Sequence, residues 1–481
     1  MLKLAFDLAF ADLYDRVGLS RVDQAFLAHL TEADAGLAAR LGEARANPAV
    51  ITSKLESELL LGIAPYLDDF LGELFGIAGE VSALAARHHE LAPLFEVKRQ
   101  FVQRKAAKAF DAATLASFEA VALTADVAGL IGATADGIEA FELAFARHVK
   151  RWQADEPAFE GSLETALKYA AWALLTDAGA HRHARGVLFK APRKIDPLTV
   201  IDHAIDRREQ DGTTTFSIKP AHIRRRQGFK LTDPGTNLGG ALDEANYCIW
   251  CHKQGKDSCS TGLKEKPAAD GSIAYKRTVF GVRQAGCPLE EKISEFHMAK
   301  VAGHAIGALA IITIDNPLAA ATGHRICNDC MKSCIYQKQD PVNIPQAETR
   351  TLKDVLELPW GFEIYSLLTR WNPLNLRRPL PLAASGYKVL IAGMGPAGFG
   401  LAHNLMNDGH TVVGIDGLKI EPLAENLAGV RHDGSRTAFE PIRDFESLKE
   451  DLDERTMAGF GGVAEYGITV RWDKNFLKII R

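Results

Sequence analysis

All seven cysteines of this 481-residue chain lie between Cys248 and Cys334. They are Cys248, Cys251, Cys259, Cys287, Cys327, Cys330 and Cys334: two C-x2-C pairs, each trailed by one more cysteine, with Cys287-Pro288 between them. Thiols that merely filled a core would be spread along the chain. The compartment bears on what these hold. Asp7, Asp12, Asp15 and Arg16 interrupt any apolar core of a signal peptide. The longest apolar run, about Ala305 to Ile314, is too short to span a bilayer and reads as a buried helix. A cytoplasmic location is therefore expected, and in a reducing compartment clustered thiols serve metal or redox chemistry rather than disulfides.

A soft thiolate suits zinc or an iron–sulfur cluster. One structural zinc would be satisfied by Cys248 and Cys251 with Cys327 and Cys330, which leaves Cys259, Cys287 and Cys334 without a task. Cysteines that trail a pair or precede a proline are the habit of iron–sulfur runs, so clusters are the preferred reading, ahead of zinc and of plain core thiols. Two [4Fe–4S] clusters need eight ligands and the chain has seven cysteines. Either one cluster forms alone, or a residue such as Glu348, Gln346 or His252 supplies the eighth position, and an oxygen ligand would alter the cluster's charge and potential.

The length predicts about three domains. Residues 1–195 read as a helical domain rich in Ala, with Ser20 as a helix cap and Val22, Phe26, Leu27 and Leu30 on one face. A second apolar stripe runs from Leu55 to Leu74, with Pro65 expected to kink or divide it. His88-His89 and His181-x-His183 do not have a zinc-protease spacing and are read as surface or packing residues. Residues 196–384 hold the cysteines, flanked by a connecting region of many Gly and Pro and by a proline-bearing linker at 372–384. A net charge of −5 gives no reason to expect a nucleic-acid partner.

Residues 385–481 open on a strand, Tyr387–Ala392, followed by the loop Gly393-Met394-Gly395-Pro396-Ala397-Gly398, a helix, and a second strand ending at Asp416. This context gives the G-x-G-x-x-G pattern its value. Gly393 would allow the tight turn, Gly395 the approach of a pyrophosphate, and Gly398 close helix–strand packing, with Asp416 accepting from the ribose hydroxyls. The pyrophosphate would rest on the helix N-terminus. Motif physics leaves FAD and NAD equally open.

The cysteine stretch followed by G-x-G-P-A-G resembles the iron–sulfur and flavin region of the glutamate synthase small subunit, a pyridine nucleotide-disulfide oxidoreductase. It is also similar to the N-terminal half of dihydropyrimidine dehydrogenase. The resemblance covers about residues 220–481 and includes Gly459–Ile468, whose Gly461 and Gly462 would approach the flavin. It implies an α/β multidomain chain: an all-α N-terminal region, an α-helical ferredoxin-like double-cluster domain, and a partial Rossmann βαβ unit. It implies one cluster on Cys248, Cys251, Cys259 and Cys334, and a second on Cys287, Cys327, Cys330 and Glu348. The cysteine spacings are not those of the family in full, which leaves the ligand assignment open. FAD is the implied ligand of the glycine loop.

The expectation is a flavin- and iron–sulfur oxidoreductase moving electrons between NAD(P)H, FAD and two [4Fe–4S] clusters, with no catalytic side chain because the cofactors carry the reaction. Too few residues follow Gly386 for a second Rossmann unit, so the chain reads as truncated and NAD(P)H as bound outside it. A redox partner domain or subunit is expected, with no membrane span, and an oligomer remains open. The alternatives are a non-catalytic electron-transfer or assembly subunit and a zinc-stabilised interaction protein.

Overall fold

The computed structural model describes residues 2–134, 137–199, 201, 204–223, 235–323, 327–415, 425–429, 431, 433 and 435–445. Among the described residues the fold is mixed: mostly helical, with two small sheets and an all-helical N-terminal region.

The first long helix, α1 (Arg16–Ala33), starts earlier than the sequence signal placed it. Asp15 is its cap, the carboxylate accepting from the N–H groups of Val17 and Gly18, and Ser20 lies within the helix. Val22, Phe26 and Leu30 are fully buried, as their spacing predicts, while Leu27 is half-buried. Helix α2 (Ser53–Leu74) runs through Pro65 undivided. Proline removes one backbone donor there, and packing on either side outweighs the loss. Leu59, Leu60, Ile63, Leu67, Phe70, Leu71 and Leu74 are all completely buried. At about 1.5–3 kcal/mol for each such side chain, their burial far exceeds the cost of one helical proline.

Two large cores result. One joins α1 and α2 to the helices around the cysteines, α7 (Ile293–Val301), α8 (Ala305–Asp315), α9 (Ile344–Leu356) and α10 (Gly361–Leu368). The other is built by the end of α3 (Ala78–Val97), α4 (Ile138–Gln153) and α5 (Glu160–Leu175), closed by Leu238 and Leu242 of α6 (Leu238–Tyr247). The first eighty-odd residues thus share a core with residues 293–376. Helices α2 and α8 touch closely: a Cβ on Gly307 would lie 2.6 Å from that of Ala64. Asp68 of α2 caps α8 from outside, its Oδ1 accepting from the Gly307 N–H at 2.6 Å. A buried ion pair, Lys300 Nζ to Asp354 Oδ2 at 2.6 Å, ties α7 to α9, and Arg350 Nε reaches the other oxygen at 2.6 Å.

Three local expectations meet a different outcome. The Gly- and Pro-rich region before the cysteines contains an antiparallel hairpin, β1 (Ile205–Gln210) with β2 (Thr213–Ile218). Its tight turn is Asp211-Gly212, both at positive φ. The proline-bearing stretch from 372 begins as packed chain: Leu374 and Leu376 are buried, and Asn372 Nδ2 donates to the Ala310 carbonyl at 2.7 Å. The spacing of Leu289, Ile293 and Phe296 predicts one shared helical face; Leu289 instead stands before α7 and is 48% exposed, while Ile293 and Phe296 are buried.

Near the end, β3 (Lys388–Ala392) and β4 (Thr411–Ile415) pair in parallel, Lys388 opposite Thr411, with α11 (Pro396–Asn407) crossing between them. A small apolar cluster of Ile391, Met394, Phe399 and Ala402 fastens the helix to the sheet.

Candidate thiol sites and glycine loop

The seven cysteines are free, and six of them gather in two neighbourhoods. Cys248, Cys251, Cys259 and Cys334 lie within reach of one another's charge. Cys287 and Cys330 feel each other and the carboxyl of Glu348. Cys327 lies exposed at the edge of the described residues, apart from both groups. His252 hydrogen-bonds Ser294 Oγ through Nδ1 at 2.7 Å, and Gln346 Oε1 accepts from the Thr236 N–H at 3.0 Å.

Backbone geometry holds the sulfurs. Trp250 adopts a left-handed φ of 54° between Cys248 and Cys251, and its N–H donates to Cys248 Sγ at 3.4 Å. The backbone N–H groups of Tyr336, Val342 and Ile335 lie near Cys334 and those of Glu291 and Leu289 near Cys287, and each favours the thiolate there. The segment before Cys287 is clamped: Gly286 N–H donates to Ser333 Oγ at 2.9 Å, and Cys287 N–H to the Cys259 carbonyl at 2.8 Å. Gly286 has φ +87°, and a Cβ there would fall 2.4 Å from the Ser260 carbonyl oxygen, so only glycine fits.

Burial, with neighbouring acids and thiols, pushes the Cys248 thiol up to about 12 and those of Cys251 and Cys287 up to about 11. Burial followed by the charge of Glu348 raises Cys330 as well. Between Cys259 and Cys334 a hydrogen bond keeps the first protonated and favours the second as thiolate. Any metal or cluster must therefore displace protons on binding. Among the described residues no three His, Cys, Asp or Glu side chains converge at the spacing of a single metal ion.

The second neighbourhood contains an acid that sequence reasoning missed. Glu291, four residues after Cys287, is buried and shares Asn316 with Glu348, whose Oε1 accepts from Asn316 Nδ2 at 2.8 Å. Burial, then Asp315, raises Glu291 to about 7, and burial, then Glu291, raises Glu348. Near the first group Asp257 is raised to about 7 by burial and then Glu295. Acids among so many like-signed groups are costly unless protonated or matched by a cationic guest. The Cys287-x3-Glu291 spacing was the available signal.

At the glycine loop, Gly393 has φ +101° and donates to the Ile415 carbonyl at 2.7 Å. Gly395 is the N-cap of α11, and the space where its Cβ would stand is open. Pro396 occupies the first turn, Ala397 follows, and no side chain caps the helix. A Cβ on Gly398 would lie 2.0 Å from the Gly393 carbonyl oxygen, which makes that approach glycine-only. Asp416, Gly461 and Gly462 lie outside the described residues.

The histidine pairs are held by protein groups. His88 Nδ1 meets the Leu84 carbonyl at 2.8 Å and His89 Nε2 that of Ala302 at 3.0 Å. His183 stands between Glu142 Oε1 at 2.8 Å and the Tyr169 hydroxyl at 3.0 Å. Among the described residues no helix is long and apolar enough to cross a membrane.

A family model described as the RP005 N-terminal alpha-helical domain matches residues 4–76. The uncharacterized protein RP006 of Rickettsia prowazekii (strain Madrid E) is 56% identical over 164 residues, which is 34% of this chain and 22% of RP006. This chain therefore spans about a fifth of that relative's length. The uncharacterized protein RP005 of the same organism is 33% identical over 314 residues, which is 62% of this chain and 98% of RP005. With nearly all of RP005 matched at that identity, the chain belongs to the RP005 family.

Proposed function

We propose that this chain is the electron-carrying part of a flavin- and iron–sulfur oxidoreductase located in the cytoplasm. The observation that supports the reading is that six free thiols gather in two sets, with the Trp250 N–H donating to Cys248 Sγ and further backbone N–H groups close to Cys334 and Cys287. Such donors stabilise thiolate ligands and tune a cluster's potential. The first set, Cys248, Cys251, Cys259 and Cys334, would hold one [4Fe–4S] cluster. The second, Cys287, Cys327 and Cys330, would hold another, with Glu348 as the non-thiol ligand in a ferredoxin-like arrangement. The uncapped start of α11 and the open space at Gly395 suit a pyrophosphate, and a Rossmann-type FAD site is the proposed use. Bound clusters would supply one-electron storage and FAD hydride acceptance from NAD(P)H. The chain's residues would hold, orient and desolvate them.

The test is purification of the full chain without oxygen, followed by assay of iron, acid-labile sulfide and flavin. Iron and sulfide near eight each, with FAD retained, is the expected result; a colourless protein with one zinc would refute it. Glu348→Ala should alter the paramagnetic spectrum of one cluster and spare the other. A second reading, a relay subunit with clusters and no flavin, draws on RP005, which stands as a separate protein matched over 98% of its length. Clusters without retained FAD would favour it.

A further inference from the structure

A cavity of about 570 Å³ opens where the second core meets the first thiol group. Its wall is formed by the end of α3, by Lys190–Pro192, by the last turn of α6 with Cys248–Trp250, and by Tyr336 to Pro341. The volume is that of a small-molecule site, and the junction of two packed units is where such sites form.

We propose that this cavity binds a planar aromatic molecule bearing an anionic group. The aromatic half of the argument rests on the lining. Tyr247 and Tyr336 stack face to face, with centroids 4.5 Å apart and planes within 6°, and Phe95 and Trp250 extend this surface. Flat rings pack favourably on such a wall. Trp250 is held at a left-handed φ of 54°, a strained conformation for a bulky residue, of the kind that gathers at binding sites.

The anionic half rests on charge balance. Each carboxyl on the wall already has a partner. Asp243 takes Lys98 Nζ at 2.6 and 2.7 Å, Asp340 takes the Arg193 N–H at 2.7 Å and its guanidinium at 3.4 Å, and Glu244, raised to about 7 by burial, takes the Asn343 N–H at 2.8 Å. Arg99 and Lys190 add two further cations to the lining, suited to a phosphate or carboxylate. The site stands on this lining alone and does not require that clusters form. If they do, a ligand here would lie beside the thiol of Cys248.

The probes are flavin mononucleotide and riboflavin, titrated calorimetrically into the full-length protein presaturated with FAD. Flavin mononucleotide should bind in the micromolar range and riboflavin about tenfold more weakly. Asn246→Trp, which fills the cavity, should abolish both, with the circular dichroism and any cluster absorbance unchanged. Arg99→Glu, at an exposed position, should weaken flavin mononucleotide about tenfold and leave riboflavin unaffected. Adenosine monophosphate, with a smaller ring and the same phosphate, should bind more weakly than flavin mononucleotide. Equal binding of both nucleotides would overturn the role of the aromatic wall. No binding of either flavin, or binding that survives Asn246→Trp and disappears in Gly398→Ala, would overturn the cavity site. These outcomes leave the FAD and cluster readings intact, since iron, sulfide and retained FAD are measured separately.

Discussion

Asp68 is the residue whose behaviour most directly tests how α2 is joined to α8. It lies on α2, is buried, and accepts from the Gly307 N–H at the start of α8. Burial raises its carboxyl from the ordinary 3.8 to about 8, against the opposing pull of the backbone donors Gly307, Ile306 and Ala305. At neutral pH the folded protein then holds a proton that the unfolded chain has released. A raised folded pKa contributes stability that is complete below pH 3.8 and is lost as pH rises through about 8. Each unit is worth about 1.4 kcal/mol, so the loss between pH 5 and pH 8 is about 3–4 kcal/mol. Asp68→Asn keeps an acceptor and removes the titration. Urea unfolding of parent and variant, compared at each pH so that other groups cancel, should show the variant's relative stability growing by that amount. Asp68→Ala, which leaves the helix donors unsatisfied, should fall about 1–3 kcal/mol below Asn at every pH. A parent–Asn difference that stays flat with pH would refute the reasoning. It would mean that the α8 N-terminus and its N–H groups keep the carboxylate ionised in spite of burial.

Three further outcomes are expected. Burial, then the charge of Lys300, pushes His297 down to about 3, and among the described residues neither ring nitrogen has a hydrogen-bond partner. A lowered histidine pKa gives stability that is full above about 6.5 and is lost as pH falls towards 3, so His297→Leu should flatten the acid limb of a pH–stability curve; an unchanged limb counts against it. Lys300→Met should cost about 3–5 kcal/mol by leaving Asp354 with Arg350 alone, and adding Asp354→Leu should recover most of it; thermal or urea unfolding measures both. Gly398→Ala should disrupt the loop and lower the melting temperature, while Gly395→Ala, with open space around it, should leave the melting temperature unchanged and reduce FAD retention.

Much of this protein is legible without coordinates, because periodicity and local geometry are local physics. The stripe from Leu59 to Leu74 is buried as its spacing demands, and the strand–glycine loop–helix–strand of residues 388–415 takes the conformation its glycines permit. The hairpin at Asp211-Gly212 was hidden among polar residues with little alternation. Pro65 within α2 shows tertiary burial overriding a local breaker.

The cysteine count and their confinement to Cys248–Cys334 were determined by the sequence alone, since they are matters of composition and order. Which thiols neighbour which was decided by the fold: Tyr336 stacks on Tyr247 and the Asn343 N–H donates to Glu244 of α6, which brings Cys334 beside Cys248. The same packing brought Glu291 and Asn316 to Glu348, a contact no spacing rule encodes, because burial sets it and the residues concerned lie on separate segments. It also opened the cavity beside Cys248, where the two cores meet without filling the space between them.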